Sequence, residues 1–558
     1  MKEKAGEYKY AILFIAMLFC YYMYSMSKVY GFELLPDEFG YWNYAAFLLG
    51  YDWSNIVSLG SYYSFGYTLI LYPILKFFEN PILAYRIAAT LNFVLLILSY
   101  FAVVHLTKKL CKKEKQLPYL FTAIAILYPS WIFYARITMA EIVIMSMYIF
   151  ICTLLYDYLE KNKASTLVLL VIALIYIYTV HMRTVGILIA AAMTLGIHLV
   201  VGSKRFSAKK MLIVLAGIGL FIGAAYIKTY ISKEIYVYSS KENFATNDYA
   251  GQIEKIKRIF SGQGFQNLVI SFLGKVFYLG LATFGLFYAG IGYCIKKLIK
   301  SRHPFYLFVL LSTLGEIGIT SIACGVGGSR IDGLTYGRYN EQILPILMVF
   351  GCLAIWEAGK TWKQLLTVVL MQLPMLGVVL YHTQKYQQTE VNPWMILGIS
   401  YGYVREKFEP ISFYLIAFMI GILLMLLIWG IIRLAKSKKT VYYLVFVMAV
   451  ELLLALRLQI GLADAPQLGN YRDTKLIEEI VEEKSNHPRI VYLHLGQSTA
   501  GQRLQYGLRN EKLEVETDVD SLQKDDLVIT NDECNQIEEL KEEYKNWRIM
   551  GHLAMFYN

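Results

Sequence analysis

Apolar runs recur along the chain at the length that crosses a bilayer. Runs of roughly twenty residues begin near Tyr10, Leu83, Leu117, Glu141, Ser165, Thr184, Met211, Leu268, Pro304, Glu341, Gln364, Ile411 and Val441. Each predicts a helix, because backbone polar groups exposed to lipid must be satisfied within the segment. Ser64 to Phe78 is shorter and contains Pro73. Counting it as a span would put the lysines from Lys108 to Lys115 outside and invert everything after them. Leaving it out gathers all basic clusters on one face: Lys2, Lys4 and Lys9, then Lys108 to Lys115, Lys161 and Lys163, Lys204 to Lys210, Lys296 to Arg302, Lys360 and Lys363, and Arg433 to Lys439. The positive-inside rule selects this second arrangement. The expectation is an all-α polytopic membrane protein of about 13 transmembrane helices. Its N-terminus is cytoplasmic, and residues 64–78 form a helix in the outer leaflet or in the first external loop, 30–82.

After residue 460 the pattern changes. Leu476, Ile477, Ile480 and Val481 form one stripe of a helix over Asp473 to Lys484. Arg489 to Leu495 reads as a strand, Thr499 to Leu508 as a helix, and Asp526 to Thr530 and Trp547 to Phe556 as further strands. The division is a transmembrane domain over 1–460 and a small α/β extracytoplasmic domain over 466–558. Gly496-Gln-Ser-Thr-Ala-Gly501 stands between strand and helix but lacks the dinucleotide glycine spacing, so it carries little weight as a nucleotide site.

Composition agrees. Of 558 residues, 57% are hydrophobic and 17% charged, with a mean hydropathy of +0.46, beyond the range of soluble domains. The formal charge is +11. From Pro466 onward there are 18 acidic and 11 basic residues, so +18 falls on the chain before it. That excess sits in short clusters between apolar runs, the pattern of cytoplasmic loops rather than of nucleic-acid binding. Seven cysteines show no disulfide or zinc spacing. The first run has no small-residue cleavage site after it and reads as a retained span.

This topology puts most of the polar chemistry outside. Asp37 and Glu38 follow Pro36 directly after the first span, in the first turn of a helix expected to begin near Phe39. Alone, such a pair is an N-cap on an interfacial helix. The other external turns add Arg136 and Glu141, then His181 and Arg183, then Arg330, Asp332, Arg338, Tyr339 and Glu341. A carboxylate can deprotonate an acceptor hydroxyl, which contributes about 10²–10⁴ in rate. Arginine holds phosphate in bidentate fashion. Arg136 and Arg183 could equally snorkel to headgroups, although external arginines run against the positive-inside bias. His181 by itself reads as a structural hydrogen-bonding residue. Glu316, inside the ninth run, is expected to pair with Lys275 of the eighth. Tyr41, Trp42, Tyr44, Tyr51, Trp53, Tyr62 and Tyr63 read chiefly as an interfacial belt, with stacking on a sugar as a second use.

Four features together resemble the GT-C superfamily of integral-membrane glycosyltransferases, in particular the aminoarabinose transferases and bacterial protein mannosyltransferase-like relatives. They are Asp37-Glu38 followed by Tyr41-Trp42-Asn43-Tyr44, and Tyr85-Arg86 leading to the basic turn His105-Leu-Thr-Lys-Lys109. The others are Tyr128-Pro-Ser-Trp131 leading to Glu141, and Arg338-Tyr339 ahead of Pro345. The resemblance implies transfer of a sugar from a polyprenyl-phosphate donor to a cell-envelope glycan, glycolipid or protein on the outer face, with inversion at the anomeric carbon. It makes Asp37 the base, with Glu38 beside it. Glu141 and Asp332 would orient acceptor or donor, and Arg183, His181, Arg338, Tyr339 and Arg136 would face the lipid phosphate. In members that use a divalent metal, Asp37, Glu38 and Glu141 would be its ligands; the sequence does not require one. The second loop carries a single carboxylate, so oligosaccharide transfer to asparagine is not expected. Two other readings stand beside it. One is an O-antigen-type polymerase or ligase, which would depend on arginines of a large external loop. The other is a lipid or solute transporter, for which inverted repeats and broken helices would be expected; neither is evident in the sequence.

Overall fold

The computed structural model describes the chain apart from residue 1 and segments 60–62, 112–114, 202–206, 238–248, 326–330, 359–360, 388–389, 403–408, 437–439 and 496–498. It opens with α1 (Lys2–Met26). The first loop then holds α2 (Asp37–Leu48), α3 (Ser54–Val57) and α4 (Thr68–Phe77). There follow α5 (Pro81–Leu110), α6 (Leu117–Ile126), α7 (Pro129–Ala135), α8 (Glu141–Lys161), α9 (Ala164–Val180), α10 (Val185–Val201) and α11 (Ala208–Ile235). Later apolar helices are Gly262–Ala282, Leu286–Ser301, Pro304–Gly325, Leu344–Glu357, Thr361–Lys385, Pro410–Leu434 and Thr440–Leu458.

All thirteen apolar runs fall on helices. Among the described residues ten helices are long and apolar enough to cross a membrane, or up to eleven if α6 and α7 form one span. The difference has local causes. α9 has only 17 residues and Leu344–Glu357 only 14. α6 and α7 meet at a bend of 64°, because Pro129 has no amide hydrogen to continue the helix and Tyr128 before it is extended, with ψ 126°. The eighth run breaks as well: Gly262–Ala282 ends where Phe284 and Gly285 take positive φ, and Leu286–Ser301 starts afresh. Broken helices, unseen in the sequence, are thus present. A second correction concerns the membrane interior. Lys275 donates to Ser271 Oγ at 2.7 Å and to the Gly333 carbonyl at 2.8 Å, whereas Glu316 takes the Gln342 amide. Gly333 belongs to the loop that the sequence assigns to the outer face, and its carbonyl comes close enough to accept from the lysine. The expected Lys275–Glu316 pair does not form.

The residues of 64–78 make the ten-residue α4, packed against α2. α2 begins at Asp37, slightly earlier than expected, so both acids lie in its first turn, where the helix dipole favours them. Its residues Glu38 to Ala46 are buried.

The last apolar helix runs without a break through a π turn, Gln459–Ala463, into Asp464–Glu483. The expected boundary between residues 460 and 466 thus falls inside a helix. Five strands follow: β1 (Ile490–Leu493), β2 (Glu514–Glu516), β3 (Leu527–Asn531), β4 (Asn546–Met550) and β5 (Leu553–Tyr557), in the order β2-β1-β3-β5-β4. β1 runs parallel to β2 and β3, and β5 antiparallel to β3 and β4. The segment read as one terminal strand is a hairpin turning at Gly551, whose φ is +68°. The glycine-bearing turn after β1 lies largely outside the described residues.

The tail is fastened to the first loop. Trp53 Nε1 donates to the Arg509 carbonyl at 2.8 Å, and Asn55 to that of Leu513 at 2.8 Å. Arg509, itself buried, donates back to the carbonyls of Phe78 at 2.7 Å and Leu75 at 3.1 Å. These carbonyls end α4, where no intrahelical donor remains for them. Arg509→Ala should therefore cost about 2 kcal/mol and loosen the tail. Limited proteolysis of the detergent-purified chain should cut the tail faster than in the parent; unchanged cleavage would mean that the tail is held by other contacts.

Candidate active site

Four chain segments bring charge to one place. Asp37 stands at the start of α2, Glu141 at the start of α8, Arg183 in the 3-10 turn Met182–Thr184 between α9 and α10, and Arg338 in the loop before Leu344–Glu357. Arg338 joins the two acids. Its Nη2 is paired with Asp37 Oδ2, and its Nε lies 3.0 Å from Glu141 Oε1. Arg183 Nη2 reaches the same Glu141 oxygen at 3.4 Å. The Tyr339 ring lies beside both cations, with centroid distances of 4.4 Å to Arg183 and 5.4 Å to Arg338.

Local structure fixes each side chain. The backbone amides of Gly337 and Arg338 both donate to the Met395 carbonyl, at 3.0 and 3.1 Å. Gly337 has the Tyr278 ring where a Cβ would be, so only glycine allows this approach. His181 Nδ1 accepts the Arg183 amide at 3.2 Å and caps the turn that carries it. Burial above all, and then the charges of Arg183, Lys228 and Arg338, hold the His181 ring well below the ordinary imidazole range. His181 thus orients the turn that carries Arg183.

Glu38, one residue from Asp37, has a different task. It is fully buried and accepts five hydrogen bonds. Glu33 N at 2.7 Å and Leu34 N at 2.8 Å reach Oε1; Tyr85 Oη at 2.6 Å, Thr138 N at 2.8 Å and Thr138 Oγ1 at 2.7 Å reach Oε2. Burial raises its pKa against the pull of those bonds. No lone pair is left for a substrate, so Glu38 pins the start of α2 to α5 and to the turn before α8. Arg136 is also drawn elsewhere: it is fully buried and pairs with Glu33 at 2.7 Å, with Asp464 at 4.0 Å. Arg136 and Glu38, expected at the phosphate and at the reaction, thus belong to a neighbouring structural network. Glu341 accepts from Tyr128 at 2.8 Å and from Tyr278. Arg330 and the side chain of Asp332 lie outside the described residues.

Two participants were not singled out in the sequence. Tyr63, read there as part of the belt, donates to Asp37 Oδ1 at 2.5 Å. Glu33 opens the acidic stretch and neutralises Arg136. Within the cluster Arg183 Nε and Nη1, and Glu141 Oε2, have no hydrogen-bond partner among the described residues, and Arg338 Nε meets Glu141 as an ion pair without hydrogen-bond geometry. Two buried guanidinium donors left open suit an anion. A divalent metal fits less well. Asp37 and Glu141 already share a guanidinium, Glu38 is saturated by N–H and O–H donors, and the described residues contain no group of three or more metal-binding side chains.

No family model matches the chain, and no curated protein matches it in sequence. Among solved structures, its fold is similar to that of a polytopic membrane protein. The particular likeness is to ArnT from Cupriavidus metallidurans. In the apo state the TM-score is 0.56 at 13% identity, over 99% of this chain and 98% of that one. Bound to undecaprenyl phosphate the TM-score is again 0.56 at 13% identity, over 98% of each chain. The Archaeoglobus fulgidus oligosaccharyltransferase tethered to an acceptor peptide is similar at a TM-score of 0.44 and 10% identity, over 91% of this chain and 64% of that one.

The distinct tasks of the neighbouring acids are separable. Glu38→Gln sets an amide hydrogen against existing donors and should cost about 3 kcal/mol, so its unfolding temperature in detergent should fall well below that of Asp37→Asn. Equal unfolding temperatures would place the two carboxylates in equivalent roles.

Proposed function

We propose that the chain is a glycosyltransferase that moves a sugar from a polyprenyl-phosphate donor to a hydroxyl-bearing acceptor at the outer face of the membrane. The observation that carries the reading is the sharing of Arg338 by Asp37 and Glu141, with Arg183 on the same Glu141 oxygen. The ArnT structure that holds undecaprenyl phosphate supports a carrier of that class. The basic clusters of the sequence support an orientation with the N-terminus in the cytoplasm and this site outside.

Asp37, part-exposed at 22%, is the general base. It removes the acceptor proton as the acceptor oxygen attacks the anomeric carbon. The bond from that carbon to the phosphate oxygen breaks on the opposite side, which inverts the centre. Arg183 and Arg338 hold the departing lipid phosphate through charge-assisted hydrogen bonds, with the Tyr339 ring beside both. Glu141 sets the spacing of the two cations. The acceptor is a glycan, glycolipid or protein of the cell envelope.

Asp37→Asn should abolish transfer while leaving the chain expressed and folded, because the carboxamide keeps the shape and cannot take the proton. A deletion strain should accumulate one polyprenyl-phospho-sugar, read by mass spectrometry of its lipid extract. Full activity of the variant would remove the assigned base, and unchanged lipid-linked sugars would remove the donor class. Arg183→Ala should weaken binding of undecaprenyl phosphate by about tenfold or more, the worth of a charge-assisted bond. Unaltered affinity in a direct binding assay would move the phosphate elsewhere.

A further inference from the structure

Both oxygens of Asp37 are occupied in this structure. Arg338 holds Oδ2, and the Tyr63 hydroxyl donates to Oδ1 at 2.5 Å. Each oxygen of the base thus already holds one donor, with which an incoming hydroxyl competes. Arg338 is 4% exposed and fixed by Glu141 and the Met395 carbonyl, so it is not the partner that yields.

Tyr63 is held at its backbone rather than at its hydroxyl. Its amide donates to Tyr236 Oη at 3.3 Å, and its carbonyl accepts from Tyr44 Oη at 2.9 Å. The next residues fasten to the end of α9, where Ser64 Oγ and Gly66 N both donate to the Thr179 carbonyl. The ring lies over Gly40 so closely that a Cβ there would come within 1.9 Å of its Cδ2. Burial, and then the Asp37 charge, push the hydroxyl well above the ordinary tyrosine range, so it stays a donor.

We propose that Tyr63 is a positioning residue that guards the base: its hydroxyl occupies the one Asp37 oxygen Arg338 leaves open, and an acceptor hydroxyl displaces it before reacting. The inference rests on the reading of Asp37 as the base. It predicts that the site hydrolyses its donor only slowly when no acceptor is present. With Tyr63 in place, water is kept off Oδ1. Without the hydroxyl, a water fills the gap, gives its proton to Asp37 and bonds through oxygen to the anomeric carbon. The bond from that carbon to the phosphate oxygen then breaks, releasing free sugar and polyprenyl phosphate.

Tyr63→Phe keeps the ring on Gly40 and removes only the donor; Gly40→Ala keeps the hydroxyl and pushes the ring away. The full chain in lipid nanodiscs is given the polyprenyl-phosphate sugars extracted from its own source cells, with no acceptor, and free sugar is measured. In parallel, carbodiimide labelling of Asp37 is read by peptide mass spectrometry, which needs no substrate. Both variants should release free sugar and label Asp37 more, by a factor on the order of ten for loss of one hydrogen bond to a charged group. The acceptor KM, measured with source-cell membranes as acceptor, should fall in both because nothing has to be displaced. A merely structural tyrosine would raise KM and leave labelling unchanged. Parent-like labelling and no free sugar in both variants would overturn the guard while leaving the base intact. Transfer by Asp37→Asn would instead overturn the base itself.

Discussion

One buried guanidinium sets the arrangement of the site. Arg338 is almost wholly withdrawn from water, and a charge in that position is tolerable only when paired and hydrogen-bonded. Its partners come from the start of α2 and the start of α8, segments about a hundred residues apart. The fold must therefore bring the first external loop, the short turn before α8 and the loop before Leu344–Glu357 to a single point. Much of the surrounding structure serves that convergence. Glu38 ties α2 to Tyr85 and Thr138, Gly337 lets the Arg338 loop close on Tyr278, and the tail clamps α3 and α4 from outside. The cluster is nearly neutral as a whole, yet Arg183 keeps two donors open. An arrangement that balances itself while holding donors in reserve is suited to a visiting anion.

Much of the helical architecture was legible because hydrophobicity is a one-dimensional signal. Every apolar run is helical, two of them broken, and the short run with Pro73 is a helix of ten residues. Where α6 meets α7 the sequence did carry the cue, Pro129, but the size of a bend depends on what packs around it. The break at Phe284-Gly285 had only a glycine to announce it, among 40 in the chain. The continuous helix from Thr440 into the tail escaped notice because its polar half looks like a separate surface helix, with Asp464 and Pro466 resembling a fresh start.

At the site, residue type and side of the membrane were enough to bring Asp37, Glu141, Arg183 and Arg338 into one list, and their contacts now join them. Partner choice was not legible. Glu38 and Asp37 are adjacent in sequence and opposite in environment because a helix turns successive residues through about 100°, one toward the core and one toward the site. Arg136 found Glu33 rather than the open site, a matter of packing that no spacing rule states. Tyr63 was indistinguishable from other aromatics of its loop, since a single hydrogen bond leaves no mark in sequence.

The central claim is that the cations of this cluster receive the phosphate of a lipid carrier beside Asp37. A structure of the full chain determined with undecaprenyl phosphate tests it most directly. The account predicts the phosphate within hydrogen-bond distance of Arg183 and Arg338, on the Asp37 side of Tyr339. A phosphate seated instead on the lysine-rich turns at the other ends of the spans, with the Asp37–Arg338–Glu141 contacts unaltered, would contradict it.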